Sequence, residues 1–187
     1  RQFFVILPIL FSFFVPAITM RLFSEEKRGG SIETLLTLPV TESDVVVGKY
    51  LAAFFETLIM LVPTLFYIIT ACIFGSPDFG PMIGGYIGAI FLSASFCAVG
   101  IFASSVTKNQ IIAFFIGFVI CITLTMIDSF LIFLPASVVN VFSFLSANRH
   151  FDSISRGIID TRDLLYFLSL AVLFLVITIR VQKKERN

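Results

Sequence analysis

Residues 82–106, "MIGGYIGAIFLSASFCAVGIFASSV", contain no charged side chain, and as a helix rising about 1.5 Å per residue they are long enough to cross the roughly 30 Å hydrocarbon layer of a bilayer. Their small residues recur in two groups, "GGYIGA" at 84–89 and "SASFCAVG" at 93–100, which lets helix backbones approach closely in lipid. The stretch therefore predicts a spanning helix packed against other helices. The rest of the chain agrees. Its 187 residues are 58% hydrophobic with 24 Phe, and the mean hydropathy is +1.03, more apolar surface than a soluble core of this size can bury. Charged residues make up only 13% and gather in a few islands, as in a polytopic membrane protein.

Four further stretches meet the same length and apolarity requirement: residues 3–20, 49–74, 111–133 and 164–181. Pro8 and Pro16 in the first and Pro63 in the second each remove a backbone donor and predict kinks. Orientation follows from the basic residues. With the C-terminal tail inside, the cytoplasmic set is Arg21, Lys27, Arg28, Lys49, Lys108, Arg180, Lys183, Lys184 and Arg186, against Arg1, Arg149, Arg156 and Arg162 outside. That asymmetry places the tail and the charged island 21–48 in the cytoplasm and the N-terminus outside. Residues 3–20 lack the features of a signal peptide, so a preceding span is expected. Cys72, Cys97 and Cys121 all lie in apolar runs, with spacing that suits neither zinc nor a disulfide framework, and read as packing residues.

Residues 134–163 are too polar at their end to span and too apolar to float. Pro135 stops the preceding helix, and "LPASVVNVFSFLSA" can dip into the outer leaflet and return if protein covers its backbone. In "HFDSISRGIIDTRDL" the residues Phe151, Ile154, Ile158 and Ile159 fall near helical spacing, with Gly157 as a weak point, which predicts a short interfacial helix.

The island at 21–48 interrupts the apolar chain. Residues 21–27 continue the first helix out of the membrane, and Gly29 and Gly30 break it. Ser31 can cap a new turn that brings Ile32, Leu35, Leu36 and Leu38 onto or near one face, and Pro39 ends that turn. Thr41 with Asp44 three residues on is a capping-box start for the helix that re-enters the membrane at Lys49. The island thus predicts a short amphipathic helix between two spans. Its leucines rest on the bilayer surface or dock on a protein, and periodicity alone does not separate the two.

Other chemistry is sparse. Glu56 lies about two turns into the second span, where a carboxylate is costly and suggests a pathway or pairing role. Asp128 stands near the outer interface. His150 beside Asp152 is the one pair that could resemble an acid–base couple, and it reads as an interfacial residue in a polar loop. The sequence contains no H-E-x-x-H, G-x-S-x-G or paired intramembrane carboxylates, which disfavours a hydrolase or transferase.

"MRLFSEEKRGGSIETLLTLPVTESDVVVGKYLAA", residues 20–53, resembles the first cytoplasmic loop of ABC-2 type transporter permeases. The shared order is the cluster Glu25, Glu26, Lys27 and Arg28, then Gly30, then Glu33 with Leu35 and Leu36, then Leu38 and Pro39, then Gly48 and Lys49. Residues 103–115, "ASSVTKNQIIAFF", and 150–167, "HFDSISRGIIDTRDLLYF", resemble the gliding-motility-type branch of that family. The resemblance implies one all-α ABC-2 transmembrane domain over residues 1–187, a cytoplasmic coupling loop at 21–48 and an outer re-entrant or interfacial segment at 134–163. The family's usual six spans against five here imply that the first helix is missing. It further implies a bacterial inner-membrane permease that exports or translocates a substrate, paired with a second permease copy or homologue in the lipid, without nucleic acid. No G-x-x-x-x-G-K-[ST] is present, so ATP and magnesium belong to a separate ATP-binding subunit. Docking on that subunit is expected of Glu25, Glu26, Arg28, Ile32, Glu33, Leu35, Leu36, Leu38, Pro39 and Lys49. A non-transporting anchor that uses an ABC ATPase for mechanical signalling is the alternative.

Overall fold

The computed structural model describes residues 2–30, 41–75, 78–130, 144–158 and 160–186. Among these residues all regular structure is helical. Helices α1 (Gln2–Thr19) and α2 (Arg21–Gly29) make the first crossing. The second consists of α3 (Glu42–Leu61), a 3-10 turn at Val62–Thr64 and α4 (Leu65–Phe74). Then follow α5 (Phe79–Val106), α6 (Gln110–Phe130), the short α7 (Ala147–Ser155) and α8 (Thr161–Arg186). Five stretches are long and apolar enough to cross a membrane, so the chain is an all-α integral membrane protein.

Helix α5 is the axis of the bundle, with α1, α3, α6, α7 and α8 packed around it. Its most apolar window is 72% buried, against 12% for the crossing at Glu42–Phe74. The cause is side-chain size. A Cβ on Gly100 would overlap Thr19 Oγ1 and stand 2.9 Å from Thr19 Cβ, so the Thr19 side chain of α1 fills the space that Gly100 leaves on α5. The Phe4 ring fills the space beside Gly85, where a Cβ would meet it at 2.5 Å, and the Phe151 ring lies against Gly88 at 3.1 Å from such a Cβ. Where bilayer lipid solvates apolar side chains as well as a neighbouring helix does, close packing of this kind and interhelical hydroxyl bonds hold helices together. The hydroxyls are used accordingly. Ser95 Oγ donates to the Phe167 carbonyl of α8 at 2.7 Å, Ser12 and Thr125 join α1 to α6 at 2.9 Å, and Tyr86 reaches Thr64 at 2.9 Å. The outward surface is Phe- and Ile-rich, with Phe55, Phe66 and Ile73 among the most exposed. Cys97 and Cys121 are buried packing residues, and Cys72 lies on the exposed side.

Helix α1 runs through Pro8 and Pro16, and a break that the sequence did not announce falls at Met20. Pro63 does interrupt its helix, as the 3-10 turn. At the re-entry, Thr41 and Asp44 form the expected capping box: the Asp44 amide donates to Thr41 Oγ1 at 3.3 Å and the Thr41 amide to Asp44 Oδ2 at 3.2 Å. Helix α3 accordingly begins at Glu42, before the apolar run at Lys49.

The expected interfacial helix needs correction. Helix α7 stops at Ser155, and Gly157 adopts φ +86°, a left-handed conformation that takes the chain out of the helix. Ile158 is therefore 64% exposed and off the helix, while Ile159 lies outside the described residues. Phe151 and Ile154 are buried against α5, so α7 turns its apolar side to protein and not to lipid. Residues 131–143, which include most of the expected re-entrant stretch, lie outside the described residues.

Candidate functional site

The described charged residues of the island, Glu25, Glu26, Lys27 and Arg28, lie on α2, with Lys49 of α3 beside them. Glu25 and Arg28 are exposed there, and Gly30, at φ 72°, ends α2 in the left-handed cap expected of a glycine. Ile32, Glu33, Leu35, Leu36, Leu38 and Pro39 lie outside the described residues. Glu26 and Lys49 are brought together. The Lys49 ammonium forms an ion pair with Glu26, donates to the Leu22 carbonyl and stands 4.3 Å over the Phe23 ring, with 15% of the side chain exposed. These two residues thus tie the helices on either side of the loop to each other. An ammonium held by a carboxylate, a carbonyl and an aromatic face together has little freedom to leave its place.

On its other side α2 is held by α5. Ser104 Oγ accepts from the Phe23 amide at 3.0 Å and from the Ser24 amide at 3.1 Å, and donates to the Met20 carbonyl at 2.9 Å. Lys27, only 9% exposed, donates to the Ser105 carbonyl in the last turn of α5, where the helix dipole favours a cation. Lys27, Ser104 and Ser105 were missed as a cluster, because their partners lie some eighty residues away in the sequence. The only signal was a pair of serines closing an apolar span. Arg28 and Lys108 border an open cavity of about 350 Å³ with Thr107 and Asn109, so the loop after α5 shares this basic end.

Glu56 occupies the exposed side of α3, one position before the buried Thr57. It stands two turns, about 10 Å, beyond Lys49 along the helix. Asp128 is partly buried near the end of α6.

At the opposite end of the bundle His150, read from the sequence as an interfacial residue in a polar loop, is buried and does not pair with Asp152. Asp152 pairs with Arg156 one turn on, an exposed contact. His150 Nδ1 instead lies 2.6 Å from Asp163 Oδ1 at the start of α8, and Nε2 lies 2.9 Å from the Phe144 carbonyl. The imidazole stacks on Tyr166 with centroids 4.2 Å apart, and the Tyr166 hydroxyl donates to the Leu145 carbonyl at 2.7 Å. With both ring nitrogens engaged, this cluster works as a tie between residues 144–150 and α8. Asp163→Ala leaves a buried imidazole nitrogen without its partner and is expected to destabilise the protein by about 1–3 kcal/mol. The exposed Asp152→Ala should cost less than about 1 kcal/mol. Thermal unfolding in detergent, followed by size-exclusion chromatography, compares the two; equal losses would contradict the assignment. Among the described residues no group of three or more His, Cys, Asp or Glu is placed to hold a metal ion.

A profile described as ABC-2 family transporter protein matches residues 1–180. A search of curated proteins and a search of solved structures each returned no match. The family match extends over nearly all of the five-crossing bundle just described, with the α2–α3 segment where the family resemblance was read; the chain belongs to the ABC-2 family and is a membrane-spanning permease component of an ABC transporter.

Proposed function

We infer that this permease couples ATP hydrolysis by a separate ABC ATP-binding subunit to the movement of a substrate across the bacterial inner membrane. The family match carries this reading, since ABC-2 permeases are membrane components that work with an ABC ATPase. The segment between α2 and α3 is the docking loop, with the apolar face of Ile32, Leu35, Leu36 and Leu38 seated on the ATPase and Glu25, Glu33 and Arg28 around it. Glu26 and Lys49 contribute from beneath, by holding the two helices that carry the loop. Residues 134–163 form the outer segment of the same transmembrane domain, and a second permease copy or homologue completes the complex. Glu56 belongs to the surface that meets that copy or a watered path, because a carboxylate uncovered at this depth is costly in lipid. The gliding-motility-type branch rests on the resemblance of residues 103–115 and 150–167.

Copurification of an ATP-binding subunit with the tagged full chain, and substrate movement in vesicles that requires both, is the direct test. ATP turnover without any moved solute would favour the mechanical anchor. Orientation has its own measurement. A cysteine at Gly30 should be protected from an impermeant thiol reagent added outside intact cells, and one at Ser153 should be labelled. The reverse pattern would overturn the placement of the basic end in the cytoplasm.

A further inference from the structure

We propose that α2 is a lever hinged at Met20 and pinned by the Ser104 hydroxyl, and that nucleotide-driven movement of the α2–α3 loop swings α2 relative to α1 by releasing that pin. The second half of this proposal rests on the ATPase coupling inferred above.

By length, α1 and α2 are one crossing, Phe3–Gly29. The helical hydrogen-bond ladder nevertheless breaks after Met20, although the backbone there stays right-handed helical at φ −56° and ψ −27°. The break therefore stores no dihedral strain, and bending at this point needs little backbone rearrangement. A side chain inserted into the helical ladder is a recognised cause of such a break. Ser104 is that side chain. A hydroxyl has one donor and two acceptor lone pairs, and Ser104 uses all three: two on the Phe23 and Ser24 amides, one on the Met20 carbonyl. The first turn of α2 is thus capped from another helix.

Both sides of Met20 are packed, and the difference lies in the backbone ladder. Before the break, α1 is packed. Thr19 is wedged against Gly100, a Cβ on Gly117 would stand 3.2 Å from Pro16 Cβ, and Ser12 bonds Thr125. Gly100 lies one turn before Ser104 on α5, so that contact sits directly beside the hinge. Beyond the break Phe23 and Ser24 are buried as well, and Lys27 bonds the Ser105 carbonyl while Lys49 bonds Glu26 and the Leu22 carbonyl. A force applied beyond Gly30 meets the helical ladder where the Phe23 and Ser24 amides have left it for Ser104, so the bend falls at Met20. Ser104 acts through backbone positioning and touches no substrate.

Amide hydrogen exchange of the full chain in nanodiscs, alone and with its copurified ATPase, tests both halves. In the chain alone, Ser104→Ala should speed exchange across residues 21–29 at least tenfold and leave residues 3–15 at wild-type rates. In the wild-type complex, ATP with vanadate should raise exchange in 21–29 without changing 3–15. In the Ser104→Ala complex the nucleotide-dependent difference should disappear, which a purely structural role would not predict. Unchanged exchange in the variant, or α1 and α2 responding together, would overturn the hinge. If Ser104→Ala does not fold, Lys27→Met releases only the far end of the lever. It should speed exchange in residues 25–29 with or without nucleotide, and wild-type rates there would count against the proposal. If no ATPase copurifies with the wild type, the coupling reading fails, and the chain-alone comparison still decides the hinge.

Discussion

Replacing Leu35 and Leu36 together by Asp is expected to abolish copurification of the ATP-binding subunit while the five crossings still insert. Each leucine seated in a protein groove contributes roughly 1.5–3 kcal/mol, so losing both removes on the order of 3–6 kcal/mol, and two buried charges add a further penalty. A loss of that size weakens binding by roughly two to four orders of magnitude, enough to dissolve a micromolar contact at cellular concentrations. Insertion should be spared because no residue of a crossing is changed. If the leucines instead lie in the headgroup region, a stable complex with normal ATP turnover survives the substitution. Retention of the ATPase at wild-type stoichiometry would therefore remove the docking assignment, and with it the proposed route of coupling.

The second large effect lies in the membrane. Gly100→Leu is expected to lower the folded yield severely, because its Cβ alone overlaps the Thr19 hydroxyl and the position is buried. Overpacking of a rigid core costs about 1–3 kcal/mol, and here it would push α1 off α5 at Thr19. Gly48→Ala is the control, since a Cβ there meets nothing within 4 Å; it should be neutral or add up to about 1 kcal/mol from helix propensity. Fluorescence-detected size-exclusion chromatography before and after heating separates the two. A monodisperse Gly100→Leu protein with wild-type thermal stability would contradict the central position of α5.

How much of this was legible beforehand follows from the range over which each feature is determined. The five crossings, the break at Gly30, the Thr41–Asp44 capping box and the Pro63 interruption all depend on residues within a few positions of one another, so they can be read from apolar runs and local turn chemistry. The small-residue stripe of residues 84–100 announced close packing for a similarly direct reason: missing side-chain volume is a property of the residue itself. What covers that stripe is not. Thr19 against Gly100 and Phe151 against Gly88 are pairings chosen by the assembled bundle. His150 shows the same limit, for the sequence read it as a residue of a polar interfacial loop and the fold buried it against Asp163, since α7 and α8 meet at the turn around Gly157. Nothing local announced the break in the ladder at Met20, where a hydroxyl from another helix competes for the backbone. The amino-acid sequence by itself therefore determined that this is a five-crossing ABC-2-like chain with a charged loop after its first crossing, because hydrophobic length and charge position act locally. Only the tertiary structure decided that Lys49 closes on Glu26 and that Ser104 caps α2, because hydrogen bonds between distant segments depend on which helices lipid and packing bring side by side.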